Sequence, residues 1–191
     1  MVIQGDQNKK VYVFIDASNL WQAQKTKKKL FDNEKLARYL RKEFATSAMR
    51  VFYYTAYPQE GTRSYSLDSK HKFYTYLEKS LKFVVVKKPL KRITIHTSAG
   101  DIIEEKGNMD VEMSIDVMQY IHNYDIAVFF TGDSDFMSLI NILKAKGKRV
   151  YVYSSKNNVS SELRTGADGY CDVLEIKDDI WGKDLSRRII T

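Results

Sequence analysis

The chain has 191 residues, 43% of them apolar, which is enough for one α/β core and too few for two full domains. Two prolines and nine glycines leave no long linker. The lone cysteine, Cys171, excludes an internal disulfide and a CxxC metal knuckle, and no apolar run nears the ~20 residues that span a bilayer. A single domain over residues 1–191 is therefore expected, in a reducing, cytoplasmic compartment, with neither a membrane nor a disulfide partner; the opening MVIQGDQNKK lacks the apolar stretch of a signal peptide. The net charge of +7, concentrated in KTKKK (25–29), KKPLKR (87–92) and KAKGKR (144–149), favours polyanionic partners, nucleic acid first, because neutralising phosphates releases counterions. Each cluster taken alone also reads as a solvated face.

Along the chain, VYVFID (11–16) reads as a buried strand, followed by a helical stretch to about residue 44 that breaks near Asn33. MRVFYYT (49–55) is a second strand, SLDSKHKFYTYLEKSL (66–81) a helix, and KFVVVKK (82–88) a third strand. RITIHTSAGDIIEEKGN (92–108) departs from this rhythm and reads as a β-hairpin inserted near 92–106, with SAGD as its turn; it is either a tolerated surface loop or a flap facing substrate. A helix begins near Met109. IAVFFT (126–131) and RVYVYSS (149–155) are further strands, joined by the helix FMSLINILKAKG that Gly147 ends, and CDVLEI (171–176) is a last edge strand. Continuous apolar runs indicate strands covered on both faces. With βαβ alternation they predict a three-layer α/β/α fold around a mostly parallel, doubly wound sheet.

Ligands of open parallel sheets bind outside the carboxyl ends of the strands, where strand order reverses. Asp16 ends the first strand, in FIDASNL, and Asp133 and Asp135 follow the fourth, in FFTGDSDF. In KGNMDVEMSIDVM, helical geometry gathers Val111, Met113, Ile115, Val117, Met118 and Ile121 on one broad apolar arc, with Asp110 inside it and Glu112 and Asp116 outside. Each acid alone reads equally well as a helix cap: Asp16 for a helix from about Ser18, Asp110 at the start of its own helix, and Asp135 for a helix opening at Phe136. Together, three strand–helix junctions put acids on one rim. Two carboxylates 4 Å apart repel by about 4 kcal/mol at an effective dielectric of 20, so such a cluster calls for a cation.

All-oxygen ligation selects Mg²⁺ or Mn²⁺ over zinc, since His71, His96 and His122 are scattered and read as structural. Asp16, Asp110, Asp133 and Asp135 are the candidate metal ligands and catalytic residues, with Asp116 behind them. A metal there suits phosphodiester hydrolysis, which needs no Ser or Cys triad. Asn19 would orient a phosphate or a metal-bound water through its amide, Thr131 and Ser134 would offer hydroxyls for the same purpose, and Lys106 would supply positive charge to the nucleic-acid backbone.

FIDASNL, KGNMDVEMSIDVM, TGDSDFMSLINILKAKGKRVYVYS and SSELRTGADGYCDVLEI, in that order, resemble the NYN-domain proteins of the LabA-like group in the PIN-like nuclease superfamily, over about residues 9–177. The resemblance implies strand order 3-2-1-4-5 and an Mg²⁺/Mn²⁺-dependent endoribonuclease acting on single-stranded or structured RNA. By motif, Asp16 and Asn19 match the first block, Asp110 with Asp116 the second, and Asp133 and Asp135 the third. Asp168, in GADGY, matches the last with a mainly structural role. Asn108 and Met109 form the spacer between Lys-Gly and Asp-Val in the second block, a mild variation. A second copy of the chain, as a homodimer, is the protein partner kept in view.

Other readings fit less well. A haloacid-dehalogenase-type phosphatase needs an acid two residues after the first, where Ser18 stands, and a dinucleotide site needs GxGxxG, where DASNLW has no glycine. A P-loop is absent, and the order of acids does not suit a receiver domain. The remaining alternative is a catalytically silent NYN module that binds RNA or a protein partner.

Overall fold

The structure, a computed structural model, describes residues 9–59, 61–62, 66–97, 100–177 and 180–185. The elements run β1 (Val11–Asp16), α1 (Ala17–Lys27), β2 (Lys29–Phe31), α2 (Asn33–Glu43), β3 (Met49–Tyr57), α3 (Asp68–Lys79), β4 (Val84–Pro89), β5 (Lys91–Thr97) and β6 (Gly100–Lys106). They continue with α4 (Asp110–Gln119), β7 (Ile126–Phe130), a single 3-10 turn (Ser134–Phe136), α5 (Met137–Ala145), β8 (Arg149–Ser154), α6 (Ser161–Gly166), β9 (Gly169–Asp172) and β10 (Trp181–Asp184).

Six strands form one sheet in the order β4-β3-β1-β7-β8-β9, and every pairing in it is parallel. Its first five members reproduce the order 3-2-1-4-5. Because side chains alternate along a strand, each strand feeds two cores. Val11, Val13 and Ile15 of β1, with Val128 and Phe130 of β7, pack under Leu20, Leu36 and Leu40 of α1 and α2. Phe14 and Phe129 point the other way, to Met113 and Val117 of α4 and to Ile140 and Leu143 of α5. The chain thus winds in one direction from β1 through β3 to β4, and in the other from β7 through β8 to β9. The reversal lies between β1 and β7, whose carboxyl ends open a crevice.

Three local expectations change. The first helical stretch does break just before Asn33, but a strand fills the break: Lys28 adopts a left-handed φ of 59°, β2 follows, and the Asp32 carboxylate caps α2 by accepting from the amides of Glu34 and Lys35. β2 pairs antiparallel with β10, where Trp181 stacks on Phe31 with ring centroids 4.3 Å apart. The edge strand is Gly169–Asp172 rather than 171–176, since the Val173 amide turns to Ser154 and that of Glu175 folds back to Asp172. On α4, Val111 and Ile115 are 68% and 57% exposed, not inward. The helix buries only the stripe Met109, Met113 and Val117; at about 100° per residue Val111 and Ile115 fall roughly 160° from its centre, whereas Asp110 and Asp116 flank it at about 60°.

The hairpin forms as β5 and β6, a two-stranded sheet of its own with Ile95 opposite Ile102; Ser98 and Ala99 of the expected SAGD turn lie outside the described residues. Many lysines of the basic clusters are tied into the fold. Lys88 pairs with Glu112 at 2.7 Å, Lys27 donates to the Leu174 carbonyl, Lys144 to that of Gly166 and Lys148 to that of Tyr124. Among the described residues no helix is long and apolar enough to cross a membrane.

Candidate active site

Each acid reaches the crevice by a local device that the sequence specifies. At the end of β1 the chain turns straight into α1, and Asp16 caps that helix: one carboxylate oxygen accepts from the Ser18 amide (2.8 Å) and the other from the Ser18 hydroxyl (3.0 Å). After β7, Thr131 is fully buried and its hydroxyl accepts from the Asp133 amide at 3.3 Å, fixing the turn. Asp133 then accepts from the Asp135 amide at 2.9 Å, so Asp133, rather than Asp135, caps the 3-10 turn. Asp110 is the first residue of α4, its amide held by the Asn108 side chain at 2.7 Å.

These devices bring together Asp110, Asp133 and Asp135: one oxygen from each lies within 4.8 Å of the other two. Asp16 joins them through two adjoining hollows. One, of about 300 Å³, is lined by Asp16, Ser18, Asn19, Gln22, Gly132, Asp133 and Asn158. The other, of about 210 Å³, is lined by Asp16, Ser18, Gly107, Asn108, Met109, Asp110 and Asp133. Asp16, Ser18 and Asp133 form the ridge between them.

The electrostatics carry the mark of this crowding. Burial raises the Asp16 carboxyl above its ordinary pKa, against the lowering effect of hydrogen bonds from Ser18 and Asn19, and the negative charge of Asp133 raises it further. Asp110 is raised as well, first by burial and then by Asp133, Asp16 and Asp135, with the Asn108 side chain opposing. Like charges and desolvation both penalise the ionised form, and a cation among these oxygens would reverse the penalty.

The other expected site residues sort by placement. Asn19 is buried, its amide oxygen accepts from the Ser154 hydroxyl at 3.2 Å, and it lines the larger hollow. Thr131 supports the Asp133 turn from beneath. Ser134 is exposed in the 3-10 turn and lines neither hollow. Lys106 is directed to Glu104, 3.3 Å away, at the end of the hairpin and also lines neither. The Asp116 carboxylate accepts from the Tyr54 hydroxyl at 3.0 Å, outside the acid trio. Asp168 accepts from the Val150 amide at 2.7 Å and joins α6–β9 to β8, a structural position.

Sequence reasoning missed Gln22, Gly132 and Asn158. Gln22 had a signal: it is one helical turn beyond Asn19, on the same face of α1. Gly132 is required because any Cβ there would overlap the Asn158 carbonyl and press on the Ser154 hydroxyl. Asn158 reaches the site only through that contact, which no local pattern encodes.

With the geometry in place, comparison with known proteins is informative. The sequence profile of the NYN domain matches residues 10–175. The chain is 28% identical over 172 residues to the Low amplitude and bright protein LabA of Synechococcus elongatus, covering 88% of this chain and 86% of that protein. It is 34% identical over 64 residues to the uncharacterized protein MJ0482 of Methanocaldococcus jannaschii, 32% of this chain and 27% of that one. A crystal structure of a protein of unknown function, VPA0982 from Vibrio parahaemolyticus, superposes with a TM-score of 0.69 at 19% identity, covering 94% of this chain and all of that one, and so shares the fold.

Proposed function

The chain belongs to the NYN-domain family, whose members are in general nucleases, and from that premise we propose that it is a metal-dependent endoribonuclease cutting RNA at the Asp16–Asp110–Asp133–Asp135 crevice. The observation that carries the reading is the convergence of Asp110, Asp133 and Asp135, one oxygen each within 4.8 Å of the others. Oxygens about 2.1 Å from a common octahedral Mg²⁺ stand roughly 3–4 Å apart, so carboxylates within 4.8 Å of one another need only a small side-chain adjustment to share one hard divalent ion, and their all-oxygen chemistry suits Mg²⁺ or Mn²⁺.

When bound, the ion supplies charge neutralisation and Lewis-acid polarisation of the scissile phosphate. Asp110, Asp133 and Asp135 hold it, and Asp16 adds a fourth carboxylate on the ridge shared by the two hollows. Asn19, its oxygen fixed by Ser154, keeps its NH₂ for a phosphate oxygen. Thr131 keeps the Asp133 backbone turn in register. Lys106 and Ser134 have no assigned part in this reading.

Purified protein with Mn²⁺ and single-stranded RNA is expected to yield products that vanish with EDTA. Asp133→Asn lowers the rate at least about 100-fold, as loss of a transition-state electrostatic contact does. RNA binding without cleavage across several substrates would overturn the proposal and favour the silent module.

A further inference from the structure

The two hollows beside the acids differ in chemistry, and only one is rich in side-chain amides. The larger presents three carboxamides, Asn19 and Gln22 from α1 and Asn158 from the loop after β8, beyond the Asp16–Asp133 ridge. At about 300 Å³ it sits at the small end of the ~300–1,000 Å³ range of ligand clefts. Asn19 is only 6% exposed and lines the hollow. The loop bearing Asn158 is braced at both ends: the Asn158 and Val159 amides donate to the Ser155 carbonyl, and the Ser160 amide donates to the Gly132 carbonyl at 3.0 Å. Gly132 lets that loop approach to contact distance. The hollow is therefore a fixed shape whose polar groups both donate and accept.

We propose that this hollow is a base-binding subsite that takes the nucleobase next to the scissile phosphate, with Gln22 and Asn158 as the residues that hold the base. The inference rests on the nuclease reading for where the phosphate lies. Among the described residues no aromatic ring lines the hollow, and its carboxamides recognise a base by hydrogen bonds. A carboxamide offers an acceptor beside a donor, which matches the N6/N7 and N6/N1 edges of adenine and equally the O6/N1 edge of guanine, all of them open on a splayed base, so the hollow holds a purine base without choosing between the two. With the phosphate on the acid ridge, a splayed base has the amide hollow as its adjoining space.

The test uses the full chain with MnCl₂ and NMR-monitored titrations of 5′-AMP, 5′-GMP and ribose 5-phosphate, alongside cleavage of RNA. AMP and GMP are each expected to bind about tenfold more tightly than ribose 5-phosphate, the gain of roughly one good bidentate contact. Gln22→Ala and Asn158→Ala, both at exposed residues, each reduce that margin, and the double variant brings both nucleotides to the level of ribose 5-phosphate. Equal binding of all three ligands by the wild type, or a margin that survives the double variant, overturns the subsite. RNA cleavage accompanied by equal binding sinks the subsite alone, and base-dependent binding without cleavage sinks the nuclease reading alone.

Discussion

Strand β1 and the β5–β6 ribbon are both rich in β-branched residues, yet they stand in opposite physical situations. β1 is paired on both edges and covered on both faces, and its Phe14 is wholly buried, stacked between Phe52 and Phe129 at 5.3 and 5.4 Å. Among the described residues the ribbon pairs only with itself, and it leaves Ile95, Ile102 and Ile103 substantially exposed. Its stem alone is fastened: a Cβ on Gly107, just past β6, would overlap Leu90 and Ala56. Three of the four acids grow from the first kind of backbone, at the ends of β1 and β7, and the fourth, Asp110, opens α4 just past the ribbon's stem, its amide held by Asn108. Placing four mutually repelling carboxylates requires that stiffness, and the ribbon supplies none of it.

The comparison can be broken most forcefully at its rigid end. Phe14→Ala should cost about 3–5 kcal/mol of unfolding free energy, read from urea midpoints, because the neighbouring rings cannot close the cavity. Gly132→Ala comes next, at about 1–3 kcal/mol, since the new methyl must displace the Asn158 carbonyl or the turn leading to Asp133. The same variant should also lose RNA cleavage out of proportion to its stability, measured at a temperature where it remains folded. A Gly132→Ala protein with wild-type midpoint and activity would mean that the crevice is softer than its packing indicates.

A smaller effect, of opposite sign, comes from the burial of Asp16, with the charge of Asp133 adding to it. The folded state raises the Asp16 carboxyl, so the native chain binds more protons than the unfolded one between the ordinary value of 3.8 and the raised folded value. Stability of the metal-free protein should therefore fall as pH rises through that window, with the full penalty present above it. Asp16→Asn keeps an α1 cap of equal quality and removes the titration. In EDTA its midpoint should exceed that of the wild type at pH 7 and converge with it near pH 3. In Mn²⁺ the order should reverse. Parallel pH profiles for the two proteins would show that neither burial nor Asp133 penalises the ionised Asp16 carboxylate.

Most of the frame was legible in the sequence because it depends on short-range signals. Uninterrupted runs such as IAVFF announce a strand buried on both faces, and Gly147, with φ of 75°, stops α5 where its type suggested. The acids could be assigned to one rim because strand ends are predictable points in a parallel sheet. What escaped depended on distant partners. β2 is three residues long and exists through β10, more than 140 residues later, a pairing with no periodicity to betray it. The sequence also made the apolar side of α4 too broad, since it could not show that one narrow stripe meets the sheet while Val111 and Ile115 face outward. Lys106 was assigned to the nucleic acid by nearness in sequence to Asp110, but a strand end directs it to Glu104 instead.

The smallest predicted effect tests the free end of the ribbon. Ile102 is 56% exposed and its cross-strand partner Ile95 is 41% exposed, so Ile102→Ser removes little buried area and one cross-strand contact. The expected change in global stability lies within about 0.5 kcal/mol. Two-stranded ribbons are marginal by themselves, so the amides of β5 and β6 should exchange by local opening, well ahead of those in β1 and β7. Ile102→Ser should accelerate exchange in the ribbon and leave the central strands unchanged. If ribbon amides instead exchange only at the global rate, the exposed isoleucines are covered in solution, and the contrast between a fixed acid frame and a free ribbon fails at that point.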